Sequence, residues 1–282
     1  MARLGNLASR VLVAAVAVPL LIVIVYQESP VYVWAFAFAA SIVAMFEFFS
    51  MTLDDPLDRR VSAGIGAVAV AAFYWLPDAF AHEQQVLAIQ NAALVVAVLP
   101  VALYYLFRFG DMGTVARRMA FSMSGIVYVG FLLAFLALIK RDFGDAGGHL
   151  VAFVLAIAWL SDTGAYVAGR LFGRHKLYPA VSPKKTWEGA AGAIVFAVLA
   201  AVVIKLWLLP EVGWVDMIVL GALSSVFGQL GDLVISFVKR SQGVKDTGGL
   251  LAGHGGVLDR FDAVLMIAPL VYVYASLRLF YG

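Results

Sequence analysis

LGALSSVFGQLGDLVISFVKR, residues 220–240, is the stretch that decides the fold. It is an apolar run of membrane-spanning length, roughly 20 residues, with one carboxylate inside it, Asp232, and the basic pair Lys239 and Arg240 at its end. Ser225, Gln229, Asp232 and Ser236 recur at helical spacing and draw one polar stripe on an otherwise apolar helix. Such a stripe must face a wet cavity or another helix. A carboxylate within a bilayer costs roughly 2.5–3.5 kcal/mol on insertion scales, so Asp232 needs a partner or a task.

Working outward, further apolar windows lie near 10–27, 31–51, 61–77, 86–107, 118–139, 150–172, 188–209 and 257–280, with this one at 214–238. The chain is 63% hydrophobic and 13% charged over 282 residues, and its mean hydropathy is +0.94. One soluble core cannot bury that much apolar surface, so the pattern predicts an all-α integral membrane protein, a polytopic bundle of about nine transmembrane helices. The first window follows a few basic residues but lacks a small-residue cleavage site, and reads as a retained helix rather than a signal peptide. Placing the N-terminus in the cytoplasm leaves only Lys140, Arg141, Lys205 and Arg278, of the 20 Lys and Arg, on the far side. This is the bias that cytoplasmic loops carry. There is no Cys, which excludes disulfides, thiol nucleophiles and thiolate metal sites, so any metal must bind oxygen or imidazole.

Polar groups within the spans collect late in the chain. Residues 1–149 are therefore expected to be an N-terminal transmembrane scaffold of about five helices. Residues 150–282 are expected to be the catalytic region, about four helices with two cytoplasmic loops. The second loop and its flanks, Ser236–Asp262, read SFVKRSQGVKDTGGLLAGHGGVLDRFD. Glycines let a backbone approach a phosphate, Lys and Arg offset its charge, and aspartates at a helix end can hold a divalent cation against it. Asp259 and Asp262, three residues apart at the start of the last span, can project from nearly one helix face. Acidic residues in a first turn are also common simply because they complement the helix dipole.

The sixth span ends in WLSDTGAYVAGRLFG and runs into RHKLYPAVSPKKTWEG. Asp162 is again a carboxylate in an apolar helix, while Gly164, Ala168 and Gly169 allow close helix packing. In the loop, Lys184 and Lys185 can meet phosphates, and Ser182 and Thr186 can donate hydrogen bonds. Basic residues at a membrane surface otherwise serve as topology signals or contacts to anionic lipid. Glu47, near the end of the second span, reads as a helix-pairing or snorkelling residue. His82, His149 and His175 do not cluster at metal-ligand spacing. The Gly-rich loop lacks a Lys-Ser/Thr ending and follows no strand, which argues against a Walker-type site.

Taken together, these blocks resemble the phosphatidate cytidylyltransferases (CDP-diacylglycerol synthases). The similarity rests on Asp162, Thr163, Gly164, Ala165, Tyr166, Gly169 and Arg170, then on Ser182, Pro183, Lys184, Lys185, Thr186, Trp187, Glu188 and Gly189. It continues through Ser236, Lys239, Arg240, Lys245, Asp246, His254, Gly255, Gly256, Asp259, Arg260 and Asp262. Ala252 departs from the pattern, standing where the family carries Pro or Gly. The resemblance covers Ser161 to Asp262, over a third of the chain; the first half matches only in its hydrophobic, multi-span character.

The resemblance implies a Mg²⁺-dependent nucleotidyltransferase that moves CMP from CTP to phosphatidate, giving CDP-diacylglycerol and pyrophosphate for phospholipid synthesis. It implies Mg²⁺ held by Asp232 and Asp259, with room for a second cation of unknown identity. Asp232, Asp259, Lys239, Arg240 and Asp262 are the expected catalytic residues. Ser182, Lys184, Lys185, Thr186, Lys245, Asp246, His254, Gly255, Gly256, Arg260 and Asp162 are expected to bind substrate phosphates. A homodimer in a bacterial cytoplasmic membrane, with its site on the cytoplasmic side and no nucleic-acid partner, completes the expectation. The competing readings are a CTP-dependent polyprenol or dolichol kinase-like enzyme, and a transporter using Asp162 and Asp232 as an ion path. The charges gather at the cytoplasmic ends rather than through the bilayer, and no inverted repeat is evident, which disfavours transport.

Overall fold

The structure, a computed structural model, describes residues 17–75, 83–248 and 255–279, with side chains at 83–91 outside the description. Helix α1 covers 17–25. It is followed by α2 Val31–Thr52, α3 Pro56–Trp75 and α4 Glu83–Phe107. Next come α5 Met112–Asp142 and α6 Gly144–Phe172. A short antiparallel hairpin, β1 Lys176–Tyr178 and β2 Ser182–Thr186, leads into α7 Trp187–Trp207. Helices α8 Trp214–Ser241 and α9 Leu258–Leu279 complete the chain.

Each apolar window coincides with a helix among the described residues. Six of these helices, α2, α5, α6, α7, α8 and α9, are long and apolar enough to cross a membrane. The apolar part of α4, Ala92–Phe107, is shorter. The chain is thus an α-helical, multi-pass membrane protein. Its lipid-facing chemistry shows in α7, which exposes Val195, Leu199, Val203 and Leu206 along one stripe and buries Ala193, Ala197, Ala200 and Ala201. Large apolar side chains turn outward and small ones inward, because lipid solvates the former and close helix approach needs the latter.

Small residues set the tightest contact, between α6 and α7. A Cβ on Gly164 would lie 2.6 Å from the Gly192 carbonyl and 2.7 Å from Phe196 Cβ. The hairpin departs from the expected irregular loop. It pairs Lys176 with Thr186 and Tyr178 with Ser182, and Thr186 then caps α7 by accepting a 3.1 Å bond from the Gly189 N–H.

Helix α3 begins at Pro56, five residues before the expected window. Pro is suited to a first helical position, and the Asp55 carboxylate accepts from the Leu57 N–H at 2.8 Å. That backbone N–H holds the Asp55 carboxyl below its usual range. Nearby, buried Asp58 accepts from Arg118 at 2.9 Å and from the Tyr104 hydroxyl at 2.7 Å. Charges that read as topology signals therefore also tie α3, α4 and α5 together.

Helix α9 keeps helical dihedrals from its start: Asp262 (φ −55°, ψ −42°) and Ala263 (φ −67°, ψ −40°) join Leu258–Phe261 to Val264–Tyr274. This stretch sits against α8, where Gly231 leaves room for the Asp262 carbonyl that a Cβ would overlap.

Candidate active site

The polar stripe of α8 faces α6, α7 and the hairpin. Ser225 accepts from the Ser161 hydroxyl of α6 at 3.1 Å, and Gln229 donates to the Ala190 carbonyl of α7 at 3.4 Å. Asp232 receives the Ser236 hydroxyl on Oδ1 at 3.1 Å and pairs through Oδ2 with Lys185 Nζ at 2.5 Å. The expected stripe thus meets both a neighbouring helix and a cavity.

That cavity holds about 340 Å³, within the roughly 300–1,000 Å³ typical of small-molecule sites. Asp162, Tyr166, Gly169 and Arg170 of α6 form one wall, and Lys184, Lys185 and Thr186 of the hairpin form another. Gly189 and Ala190 of α7, with Gln229 and Asp232 of α8, close it. Two lysines and an arginine beside two aspartates can bind a polyanion and, with it, a cation. The hairpin is fixed from below by Glu188, whose carboxylate accepts from the Arg174 and His175 N–H groups at 3.1–3.3 Å and meets His175 Nδ1 at 2.7 Å.

A second cluster lies at the start of α9. Asp259 Oδ1 accepts from Lys239 Nζ at 2.6 Å. Its Oδ2 accepts from the Thr247 N–H at 3.0 Å and the Gly256 N–H at 3.3 Å. Gly255, at φ +75°, takes the left-handed conformation that suits glycine. Arg240 donates to the carbonyls of Val181 at 3.3 Å and Val244 at 2.9 Å, joining the end of α8 to the hairpin.

Asp262 links the two clusters. It lies within electrostatic reach of Asp232, Asp162 and Lys239, and Arg260 lies within reach of Asp162. Asp259 and Asp262 lie on one helical run, since Asp262 (φ −55°, ψ −42°) and Ala263 (φ −67°, ψ −40°) keep helical dihedrals. Asp259 meets Lys239 and two backbone N–H groups, while Asp262 Oδ1 accepts from the Ala263 N–H at 2.7 Å. Asp162, Asp232 and Asp262 act on one another electrostatically without coming close enough to hold one ion together. No group of three or more His, Asp or Glu at metal-ligand spacing occurs among the described residues.

Of the other anticipated residues, Ser182 lies on β2, while Lys245 and Asp246 are exposed beyond α8. His254 lies outside the described residues. Of the two roles read for Glu47, pairing holds and snorkelling does not: it is buried and accepts from the Thr247 hydroxyl and from the Val257 and Leu258 N–H groups, tying α2 to the start of α9. The available signal was a carboxylate in an apolar helix with no basic residue nearby.

Residues 8–278 match the model of the cytidylyltransferase family. A Staphylococcus saprophyticus protein named phosphatidate cytidylyltransferase is 40% identical over 154 residues, 55% of this chain and 58% of that protein. One of the same name from Staphylococcus epidermidis is 34% identical over 239 residues, 84% of this chain and 87% of the relative. Another, from Bacillus subtilis, is 36% identical over 186 residues, 66% of each chain. The match to the first of these spans less than two thirds of the relative's length.

Proposed function

We propose that this chain, which belongs to the cytidylyltransferase family, transfers CMP from CTP to phosphatidate at a membrane surface. An oxygen of the phosphatidate phosphate attacks the α-phosphorus of CTP. The bond from that phosphorus to the bridging oxygen of the β-phosphate breaks, and pyrophosphate leaves. The products are CDP-diacylglycerol and pyrophosphate. The observation that carries this reading is the cavity lined together by Lys184, Lys185 and Arg170 and by Asp162 and Asp232.

Two polyanions must meet in this reaction, and the chain's cations offset their repulsion. Lys184, Lys185 and Arg170 take the nucleotide phosphates, while Lys239, Arg240 and Lys245 approach the lipid phosphate. A substrate phosphate already ionised near neutral pH needs no strong base, so positioning and electrostatics supply most of the rate. Mg²⁺ would be held by Asp232 and Asp259, where it would neutralise charge on the phosphoryl oxygens. The support for it is the oxygen-only donor set; Asp232 and Asp259 are each paired with a lysine, Lys185 and Lys239, which such an ion would have to displace. The charge bias along the chain supports a cytoplasmic N-terminus and a site on the cytoplasmic face of a bacterial membrane, with acyl chains entering between helices. A homodimer and a second cation rest on the family resemblance.

The test uses purified protein in detergent with phosphatidate, Mg²⁺ and CTP labelled at the α-phosphorus. Label in the organic phase with equimolar pyrophosphate, both lost in Asp259→Asn, is the expected result. CDP release without lipid label would establish the kinase reading instead, and intact CTP under varied lipid and cation conditions would overturn both.

A further inference from the structure

Glu47 belongs to α2, in the half of the chain read as scaffold, yet its hydrogen bonds among the described residues reach Thr247 after α8 and the start of α9. Oε1 accepts from the Val257 N–H at 3.0 Å, and Oε2 accepts from the Leu258 N–H at 2.8 Å and the Thr247 hydroxyl at 3.2 Å. All three neighbours donate, so they use the acceptor capacity of a carboxylate. The residue is 5% exposed, and leaving such donors unmet in a buried position is costly.

The same short segments also bind Asp259. Thr247 gives its N–H to Asp259 and its O–H to Glu47. The three consecutive N–H groups of Gly256, Val257 and Leu258 are divided likewise, the first to Asp259 and the next two to Glu47. Two carboxylates are thus locked into one arrangement by donors that they share residue by residue. Two glycines make room for it. A Cβ on Gly248 would stand 2.8 Å from Glu47 Oε1, and one on Gly256 would stand 2.5 Å from Oε2 and overlap the Thr247 hydroxyl. These glycines, read from sequence as places for a phosphate to approach, seat the Glu47 carboxylate.

We infer that Glu47 is a positioning residue: through Thr247 and the backbone of Gly256–Leu258 it fixes Asp259, and with it Lys239, in the geometry that the reaction needs. The inference deepens the proposed activity and, in its kinetic consequence, rests on it. Gln at position 47 keeps the shape but replaces one acceptor oxygen with an N–H₂ aimed at existing donors, so the lock opens without a cavity.

The experiment compares wild type, Glu47→Gln, Thr247→Val and Thr247→Ser in nanodiscs by two readouts. One is amide exchange across residues 255–261. The other is kcat and KM for CTP in the cytidylyl transfer assay. Glu47→Gln is expected to speed exchange about tenfold or more, as loss of hydrogen bonds to a charged group does to a local opening. It is expected to lower kcat at least about tenfold while leaving KM for CTP within about twofold, since an interaction that aligns the reacting groups acts on turnover. Thr247→Val should reproduce part of both effects and Thr247→Ser should restore wild-type values. Wild-type exchange in Glu47→Gln overturns the contact, and faster exchange with unchanged kcat overturns the positioning role. If Glu47→Gln fails to insert, Thr247→Val carries both readouts. If wild-type protein transfers no CMP, the proposed activity fails, while exchange still decides whether Glu47 holds these residues.

Discussion

The pair between Lys239 and Asp259 permits a quantitative test. Their Nζ–Oδ1 distance is 2.6 Å, and the side chains are only 10% and 14% exposed, so solvent screens the pair little. Removing one partner of a buried pair costs roughly 3–5 kcal/mol because the other charge is left uncompensated. Asp259 retains two backbone N–H donors, which places Lys239→Met near the lower end, about 3 kcal/mol. Asp259→Asn leaves the Lys239 ammonium without its counter-charge and should cost a similar amount. The double variant Lys239→Met with Asp259→Asn leaves no unpaired charge and should be far less destabilised than the sum of the two. The coupling energy in the cycle should reach about 2 kcal/mol. Reversible unfolding of the four proteins in mixed micelles, titrated with SDS, measures it. Additivity within about 0.5 kcal/mol would refute the reasoning, because independent sites behave that way.

Packing gives a paired prediction. Gly164→Ala drives a Cβ against the Gly192 carbonyl and should lower stability by about 1–3 kcal/mol; Gly64→Ala on α3 meets nothing within 4 Å and should be neutral or gain about 0.5–1 kcal/mol, both read by thermal unfolding in detergent. Lys185→Ala removes the partner of Asp232 and a cavity-lining cation, so its transfer rate should fall roughly 10²–10³-fold, more than that of Lys184→Ala, whose side chain is exposed. Wild-type kinetics in both lysine variants would defeat the phosphate-binding assignment. Asp232→Asn should insert normally and lose turnover, and chelation of divalent cations should silence the wild type until Mg²⁺ is restored. Undiminished activity in either case would remove Mg²⁺ from the mechanism.

What the sequence disclosed about the fold followed from its repeat length. The stripe of Ser225, Gln229, Asp232 and Ser236 was legible because polar residues at helical spacing stand out on an apolar background, and the structure gives each of them a polar partner. The hairpin was not legible. Ser182–Thr186 is five residues long, contains Pro183 and two lysines, lacks apolar alternation, and has Thr186 as its one strand-favouring side chain. It forms because Thr186 caps α7 and Glu188 binds the backbone of Arg174 and His175, contacts that periodicity does not encode.

The site divides along the same line. The types of its residues were visible, since carboxylates and lysines at membrane depth are costly unless they meet something. Their pairing was not, because it depends on where the chain turns. Spacing of three placed Asp259 and Asp262 near one face, but nothing in it showed that Lys239 and the Thr247 and Gly256 N–H groups take Asp259. Glu47 is the strongest case. On its own helix it has no partner, so a local reading assigns it to a generic role at the membrane edge. The groups that satisfy it are Thr247, Val257 and Leu258, some 200 residues later. A buried carboxylate whose own helix offers it no donor must find donors on another segment, and here those donors belong to the segments that hold Asp259. The first half of the chain is therefore bound to the geometry of the site by that carboxylate, beside the packing of Phe36 on Phe261, and an isolated intramembrane charge was the sequence signal for it.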